Sequence, residues 1–296
     1  MKIIITGSLG HISQPLAKEL VQKGHAVTVI SSKAEKRKDI EALGAAAAIG
    51  SLEDAGFLTA TFTGADAVYC MVPPKNYFDH NLDLMAYYRD IVSNYVQAIR
   101  ASGVKRVVYL SSVGAHLSEG SGLIMGHHFG EAIMNQLLDV AITFMRPVGF
   151  YYNLYSFVPM IKEKGFIAAN YGAEENLVWV SPIDIAAAVA EELETPFAGR
   201  NVRYVVSEEL TGNETASILG AAIGKPDLKW ILISDEEMQS GLEAAGMNPR
   251  IAAGLAEMFG SQHRGVLTED YYRNRPAVFG KVKLTDFAKE FAAAFK

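Results

Sequence analysis

The sequence predicts an α/β fold in which an open, doubly wound parallel sheet is followed by a smaller C-terminal α/β lobe. Residues 2–6 form a short β-branched run, typical of a strand buried on both faces, and a glycine turn follows it. Apolar residues then recur at helical spacing over 12–21, and a second β-branched run follows at 25–30. A strand–turn–helix–strand unit of this kind needs a parallel sheet. The alternation continues to about residue 146 and is looser after it, which separates the sheet from the lobe.

The elements of the first part follow one another in a regular order. Strands are predicted at residues 2–6, 25–30, 45–49, 67–72, 106–111 and 141–145. Helices are predicted between them at residues 12–23, 34–43, 87–102 and 131–138. Pro73 and Pro74 end one of these strands, and Gly24 and Gly103 each end a helix. Because helices between parallel strands cover both faces of a sheet, residues 1–150 are predicted to form a Rossmann-type domain.

The second part, residues 151–296, is predicted to be a smaller, substrate-binding lobe that packs directly on the sheet. Its predicted helices lie at 181–194, 215–223, 235–246 and 285–295, and its predicted strands lie at 203–206 and 230–233. Ser181, Pro182 and Asp184 form a typical helix start, with proline and an acid in the first turn. No Ser/Gly-rich linker or charge run separates the two parts, so we expect some segments of the lobe to return to the sheet.

The composition excludes several classes of protein. Half of the 296 residues are hydrophobic and 10% are aromatic, which is too apolar for a disordered chain. One Cys cannot form an internal disulfide, no apolar stretch reaches the roughly 18–20 residues that span a bilayer, and the first apolar run is too short for a signal peptide. The net charge of −6 argues against broad nucleic-acid binding. We therefore expect a cytoplasmic protein, compatible with a homodimer, that binds a small molecule and has no nucleic-acid partner, membrane partner or metal site.

A glycine-rich turn between the first strand and the first helix is the main functional signal. Gly7 permits the tight turn, and Gly10 lets a pyrophosphate approach the backbone at the N-terminus of the helix. Ser13 takes the place of the third glycine of the full pattern, which serves mainly close helix–strand packing. In this context the pattern predicts a dinucleotide site, and a simple tight turn is the alternative. The residues predicted to contact the cofactor here are Thr6, Gly7, Ser8, Leu9, Gly10, His11 and Ile12.

The end of the second strand predicts which cofactor is bound. An NAD site has an acid there for the ribose 2′-hydroxyl, whereas an NADP site has an arginine or a similar group for the 2′-phosphate. This chain has Ser31, Ser32 and Lys33 at the strand end and a basic stretch at 36–38, without an acid at the strand tip. Hydroxyl and ammonium groups attract a 2′-phosphate, which a carboxylate would repel. We therefore expect NADPH to be preferred over NADH, with Ser32, Lys33 and Arg37 as contacts; the alternative for the 36–38 lysines is a solvated helix face.

Together with this glycine loop, later sequence blocks make the whole chain resemble the NmrA-like branch of the atypical short-chain dehydrogenases/reductases. The blocks that carry the resemblance lie at 67–74, 103–112, 146–153 and 206–211, with His128 between the second and the third. This branch includes NADPH quinone reductases, triphenylmethane reductase and cofactor-sensing regulators. The resemblance implies an NADP-binding, Rossmann-type protein.

The resemblance also implies which later residues meet the cofactor. Those expected to line its ribose and adenine side are Met71, Val72 and Pro73, those beneath the nicotinamide are Ser111 and Ser112, and those against the nicotinamide ribose and amide are Arg146, Pro147, Val148 and Phe150. Such an arrangement is plausible because the carboxyl ends of parallel strands converge on one crevice. The alternatives are a capping role for the Ser111 hydroxyl and a structural ion pair for Arg146.

The chain departs from typical short-chain dehydrogenases in its catalytic residues. None of its tyrosines has a lysine four positions later, so the Tyr-x-x-x-Lys proton-transfer pair is missing. His127 and His128 occupy the corresponding region, just before the predicted helix at 131–138. Either could match the histidine of the quinone reductases in this branch, and we favour His128, with Ser111, as the catalytic residues. The alternative is a histidine that only packs on the loop at the helix entry.

A hydride acceptor such as a quinone requires mainly positioning and desolvation from the protein. The sequence therefore favours an NADPH-dependent reductase that transfers hydride directly to a quinone-like or conjugated small molecule. The alternative is a non-catalytic NADP(H)-sensing regulatory protein that binds a partner protein, and the missing Tyr–Lys pair disfavours an epimerase. Tyr151, Tyr152 and Tyr155 would suit a flat, apolar substrate, and they are equally compatible with packing between the two parts of the chain.

Overall fold

The computed structural model describes residues 1–196 and 198–295, and in them it has one large sheet and two small ones. In chain order the strands are β1 (Lys2–Ile5), β2 (Ala26–Ser31), β3 (Ala46–Ile49), β4 (Ala67–Cys70), β5 (Arg106–Leu110), β6 (Ala141–Pro147), β7 (Gly149–Phe150), β8 (Ile167–Ala169), β9 (Asn176–Val180), β10 (Arg200–Val205), β11 (Glu208–Thr211) and β12 (Trp230–Leu232). Within these ranges the large sheet has seven strands in the order β3-β2-β1-β4-β5-β6-β10, and each pairing in it is parallel. The predicted doubly wound parallel sheet is confirmed.

The helices lie mostly between successive strands of the chain. They are α1 (Ser13–Gln22), α2 (Arg37–Ala42), α3 (Ala55–Phe62), α4 (Leu84–Ser102), α5 (Met125–Met134), α6 (Val158–Lys164), α7 (Pro182–Glu194), α8 (Gly212–Ala222), α9 (Asp235–Ala244), α10 (Pro249–His263), α11 (Glu269–Arg273) and α12 (Leu284–Phe291). Short 3₁₀ segments lie at Ala34–Lys36, Gly122–Ile124, Tyr151–Phe157 and Ala292–Phe295. Across the described ranges, none of the helices combines the length and the apolar character that crossing a membrane requires.

The sequence pattern does not predict α3, and the reason is local. Its glycine, threonines and phenylalanines are poor helix formers, so propensity gives little signal. The helix is started by a cap instead, because the Asp54 carboxylate accepts a hydrogen bond from the Phe57 N–H at 2.9 Å.

The position of α5 corrects the sequence prediction of a helix at 131–138. The helix begins at Met125, so His127 and His128 lie in its first turn rather than before it. Gly126 and Gly130 weaken the helical signal of this stretch, but both are buried, and Gly130 packs directly against the Tyr109 hydroxyl. Tertiary packing has therefore overridden local propensity here.

The central strands are buried on both faces, which explains their β-branched composition. Ile3 and Ile5 on β1 pack in a core with residues of α1 and α7, while Ile4 faces the opposite core with residues of α3 and α4. Because side chains alternate across a strand, one short run supplies both cores. This layering fixes the carboxyl ends of the strands along one edge.

The chain returns to the large sheet after residue 150. β10 pairs with β6 from Arg200 opposite Ile142 to Val205 opposite Pro147, and α7 packs against α1. The small sheets β11-β9-β7 and β12-β8 are formed by the rest of the second part together with β7 at the end of the first. An aromatic core that includes Trp179 lies in the second part. α7 and β10 thus complete the sheet domain, and the division of the chain at residue 150 stays a prediction.

Candidate functional site

The glycine loop joins β1 to α1 in a backbone conformation that most residues avoid. Gly7 and Ser8 have φ angles of +89° and +54°. A Cβ on Gly7 would lie 2.6 Å from the Ser13 Oγ, so glycine is required at this position. The Ser13 hydroxyl donates to the Thr6 carbonyl at 2.8 Å and ties the helix to the strand. This contact explains why a serine serves where the full pattern has its third glycine.

Backbone amides of this loop are available to a ligand. The Gly10 N–H donates to the Gly7 carbonyl at 3.1 Å and closes the turn. Among the described residues, the amides of His11 and Ile12 have no acceptor, and they lie at the N-terminus of α1. Two unpaired donors at the positive end of a helix suit a phosphate group.

A cleft of about 400 Å³ opens over the loop. Nine of the predicted cofactor residues line it, namely Gly7, Ser8, Gly10, His11, Ile12, Ser32, Met71, Pro73 and Phe150. They follow the carboxyl ends of β1, β2, β4 and β6, so the cleft lies where the parallel strands converge. The cleft thus brings these residues together, and their contact with a cofactor stays a prediction.

Other residues of the cleft were not among the predicted cofactor contacts, although Tyr152 was named as suited to a flat substrate. These are Ser13, Ile30, Ser31, Ser51, Leu52, Glu53, Pro74, Lys75, Tyr87, Ile91, Leu110 and Tyr152. The segment 51–53 follows β3, and the strand-end rule applied to that weak strand would have found it. Tyr87 and Ile91 lie one turn apart on α4, and only the packing of α4 on the sheet brings them to the cleft.

The end of β2 presents hydroxyl groups to the cleft. The Ser8 hydroxyl donates to the Ser31 Oγ at 2.9 Å, and the same Oγ accepts the Lys33 N–H at 3.2 Å. Ser32 lines the cleft and is exposed, while the Lys33 and Arg37 side chains are exposed beyond its lining. The acid of the cleft is Glu53, which follows β3 and pairs with Lys75 at 3.4 Å, so it does not lie at the tip of β2.

The other predicted residues lie outside the lining of the cleft. In the described part of the chain they are Thr6, Leu9, Lys33, Arg37, Val72, Ser111, Ser112, His128, Arg146, Pro147 and Val148. The Thr6 Oγ1 accepts the Met71 N–H at 2.9 Å and so joins the ends of β1 and β4. Leu9, Val72 and Val148 pack in the hydrophobic cores. Their direct contact with a cofactor stays a prediction.

Arg146 is held in a buried cluster of charges. Its Nε and Nη2 donate to the two Glu131 oxygens at 2.9 and 2.7 Å, and its Nη1 donates to the Tyr204 hydroxyl and to Asp270. Burial alone would lower the pKa of Arg146, but the hydrogen bonds and charge of Glu131 outweigh it and raise that pKa. The guanidinium thus forms the structural ion pair that was the alternative for this residue.

Ser111 belongs to the same cluster. Its side chain is buried, and its hydroxyl donates to the Glu131 Oε1 at 2.5 Å. Its N–H donates to the Met145 carbonyl at 2.7 Å, which continues the pairing of β5 with β6. The hydroxyl therefore links the end of β5 to α5 through a carboxylate side chain.

The two adjacent histidines have different surroundings. The His127 Nε2 lies 3.3 Å from the Tyr88 hydroxyl, and its Nδ1 is buried without a partner among the described residues. Burial lowers the pKa of His127 to about 4, so this ring is neutral at pH 7. The His128 Nδ1 lies 3.0 Å from the Ala115 carbonyl, which can only accept, so this nitrogen donates. His128 keeps its Nε2 for other partners.

Known proteins resemble this chain over nearly its full length. The sequence model of the NmrA-like family matches residues 1–260 of this chain. An NAD(P)H azoreductase from Xenophilus azovorans is 27% identical over an alignment of 302 positions, which spans 99% of this chain and 99% of that protein. The crystal structure of an NADPH-dependent quinone oxidoreductase from Escherichia coli with NADPH has a TM-score of 0.80 at 19% identity, covering 98% of this chain and 99% of the other. The Citrobacter sp. triphenylmethane reductase with NADP(H) has a TM-score of 0.77 at 20% identity, covering 98% and 99%.

Proposed function

Since this chain belongs to the NmrA-like family, we propose that it is an NADPH-dependent reductase of a quinone-like or other conjugated small molecule. The family membership confirms the resemblance predicted from the sequence blocks. The azoreductase, the quinone oxidoreductase and the triphenylmethane reductase support reductase activity in general. The observation that carries the proposal is the cleft over the glycine loop, at the converging ends of β1, β2 and β4.

The residues of the loop and of β2 fit a bound NADPH. The His11 and Ile12 amides are unpaired donors among the described residues, and a phosphate needs such donors. A Cβ on Gly10 would lie 3.1 Å from the Gly7 carbonyl oxygen, so the backbone surface is open only with glycine at that position. Ser32, with Lys33 beside it, supplies groups for a 2′-phosphate.

When bound, NADPH supplies a hydride, and with one proton this reduces a quinone to a hydroquinone. The apolar side chains of the cleft, such as Leu110 and Phe150, exclude water from the reacting atoms. The glycine loop and the strand ends hold cofactor and acceptor against each other. Positioning of this kind accounts for most of what hydride transfer to a quinone requires.

We assign the proton-donating or orienting role to His128. His128 contacts Ala115 in the segment that follows β5, so its ring lies near the edge where that strand ends. The Ala115 carbonyl fixes the ring through Nδ1, which leaves Nε2 to carry the transferred proton. Ser111 has a positioning role, because its hydroxyl anchors Glu131 on the helix that carries His128.

The direct test is to mix the purified protein with NADPH and a panel of quinones and azo dyes. We expect the nicotinamide absorbance to fall in proportion to the acceptor reduced. Tight binding of NADPH without oxidation above background would contradict the reductase and favour the NADP(H)-sensing alternative.

The assignment of His128 has its own test. We expect His128→Ala to lower kcat at least about 10-fold, while the matched His127→Ala lowers it much less. The Kd of NADPH, measured by calorimetry, should stay within about twofold in both variants. An unchanged kcat in His128→Ala would remove this residue from the mechanism and leave the reductase assignment intact.

A further inference from the structure

Three tyrosines follow β7, and the structure gives them different surroundings. Tyr151 is buried in the core of the C-terminal lobe, where its ring stacks on Phe287 with centroids 5.7 Å apart. Tyr155 packs against Phe287 and Phe291 on α12, at 5.3 and 5.5 Å. Tyr152 lies between them in sequence and lines the cleft. The chain therefore offers the ring of Tyr152, and not those of its two neighbours, to whatever enters the cleft.

Tyr152 forms a continuous aromatic strip with His11 and Phe150. Its ring is stacked on His11 at a centroid distance of 4.9 Å and an interplanar angle of 27°, and it contacts Phe150 at 5.2 Å. All three residues line the cleft. The strip joins the glycine loop to the segment after β7, so the first and second parts of the chain meet in it.

The aromatic strip lies at one end of the cleft. The hydroxyl groups of Ser31 and Ser32 and the carboxylate of Glu53 follow β2 and β3. Phe150 instead follows β6, on the other side of β1 in the strand order. In a sheet of this order, the two halves of a dinucleotide lie on opposite sides of the first strand. The strip is therefore on the side away from the 2′-phosphate end.

Tyr152 and Phe150 give the strip a flat, uncharged face. Burial raises the pKa of Tyr152 to about 12, so its phenol keeps its proton at neutral pH. Phe150 is apolar, and Leu110 at the end of β5 lines the same cleft. Offset stacking on such a surface favours a planar conjugated ring over a compact aliphatic molecule.

We propose that Tyr152 is the specificity-determining residue of the cleft, the platform on which the planar ring of the acceptor stacks. This inference rests on the proposed reductase function and adds the group that selects among acceptors. His11 supports the far face of the Tyr152 ring, so the platform stays in place while its other face receives the acceptor.

The test uses binding as well as turnover. Wild type, Tyr152→Leu, Tyr152→Phe and the matched control Tyr155→Leu are saturated with NADP⁺, which holds no hydride. Calorimetry then measures the Kd of 2-methyl-1,4-naphthoquinone, and kcat/KM with NADPH is compared for this quinone and for cyclohexenone, a small aliphatic enone. We expect Tyr152→Leu to weaken quinone binding about 10-fold, with less than about twofold change in Tyr152→Phe and Tyr155→Leu.

The outcomes separate this inference from the reductase function. A quinone Kd within twofold of wild type in Tyr152→Leu, with an unchanged Kd for NADP⁺, would overturn the platform. An equal loss of kcat/KM for the quinone and for cyclohexenone would also overturn it, because a platform for planar rings must discriminate between them. Wild-type protein that binds the quinone through Tyr152 without oxidising NADPH would support the platform and contradict the reductase.

Discussion

The glycine loop and the buried charge cluster of Arg146 are two predicted contact regions with opposite outcomes. At the loop, residues such as Gly7 and Gly10 line the cleft as their spacing predicts. At the cluster, Arg146 and Ser111 are committed to Glu131, and Arg146 also binds Asp270. The glycine loop presents backbone groups to the cleft. The cluster consists of side chains, and the role of each depends on its hydrogen-bond partners.

Local sequence determines the conformation of the glycine turn, but it does not determine the partners of Arg146. A glycine at a positive φ angle is required by its own turn, so the information lies within a few residues. The role of an arginine cannot be predicted until its hydrogen-bond and ion-pair partners are known. Asp270 is 124 positions away from Arg146 in the chain, and the fold alone brings them to 3.1 Å. The role of a charged residue at a strand end is therefore ambiguous from the sequence, whereas that of a glycine in a tight turn is not.

The largest effect is expected from breaking the charge cluster. Arg146→Met leaves the Glu131 carboxylate buried without its bidentate partner, and a buried pair broken in this way costs about 3–5 kcal/mol. The free energy of unfolding, from urea titration at pH 7, measures this. The matched control is Lys23→Met, which breaks the exposed Lys23–Glu194 pair and should cost less than about 1 kcal/mol.

A second variant separates the ion pair from packing. If the cost in Arg146→Met comes from an uncompensated carboxylate, Arg146→Met with Glu131→Gln should recover part of it. Equal losses in Arg146→Met and Lys23→Met would show that the cluster contributes no more than a surface pair. In that case Arg146 would again be a candidate for direct contact with the cofactor.

The sequence predicts those features of the fold that depend on neighbouring residues, and it does not predict those that depend on distant contacts. The β-branched runs of β1 and β2 and the turn between them are local signals, and the parallel sheet follows from them. The start of α5 and the existence of α3 could not be predicted, because glycines and threonines hide the helices until packing and a cap define them. Tyr152 could not be distinguished from Tyr151 and Tyr155, since only the fold determines which ring enters the cleft.

The next effect in size tests the backbone region. Gly7 and Gly24 both have positive φ, at +89° and +83°, but a Cβ on Gly24 would meet nothing within 4 Å. We expect Gly24→Ala to cost about 1–2 kcal/mol of unfolding free energy from backbone strain alone. Gly7→Ala should cost about 2–3 kcal/mol, because the new Cβ also displaces the Ser13 hydroxyl from Thr6.

Cofactor affinity distinguishes the two glycines further. Gly7→Ala should weaken NADPH binding at least about 10-fold by calorimetry, whereas Gly24→Ala should leave the Kd within about twofold. If both alanine variants bind NADPH like wild type, the loop is a tight turn and not the phosphate site.

The pH dependence of stability tests the surroundings of His127. Burial holds its pKa at about 4 in the folded protein, against about 6.5 in an unfolded chain. Between these values the unfolded chain binds more protons than the folded protein. The contribution of His127 to the free energy of unfolding is therefore fully present above about pH 6.5 and is lost as the pH falls towards 4. From pH 7 to pH 5 we expect His127 to account for a loss on the order of 1–2 kcal/mol. His127→Gln should reduce this slope, and an unchanged slope would show that His127 is not buried as a neutral ring.

The smallest effect concerns Lys33, where an exposed charge adds to a site formed by backbone and hydroxyl groups. Lys33→Glu should weaken NADPH binding about 5- to 10-fold and change the NADH affinity by less than about twofold, because only NADPH carries the 2′-phosphate. Lys38→Glu, further along the basic stretch, makes the same change in net charge and should leave the ratio of the two Kd values within about twofold. Calorimetry at low and at 0.5 M salt should show the Lys33 effect shrinking as salt screens it. Tighter binding of NADH than of NADPH by the wild type would remove Ser32 and Lys33 from the cofactor argument, whereas the glycine loop would keep its role, because its amides bind the phosphates that both cofactors share.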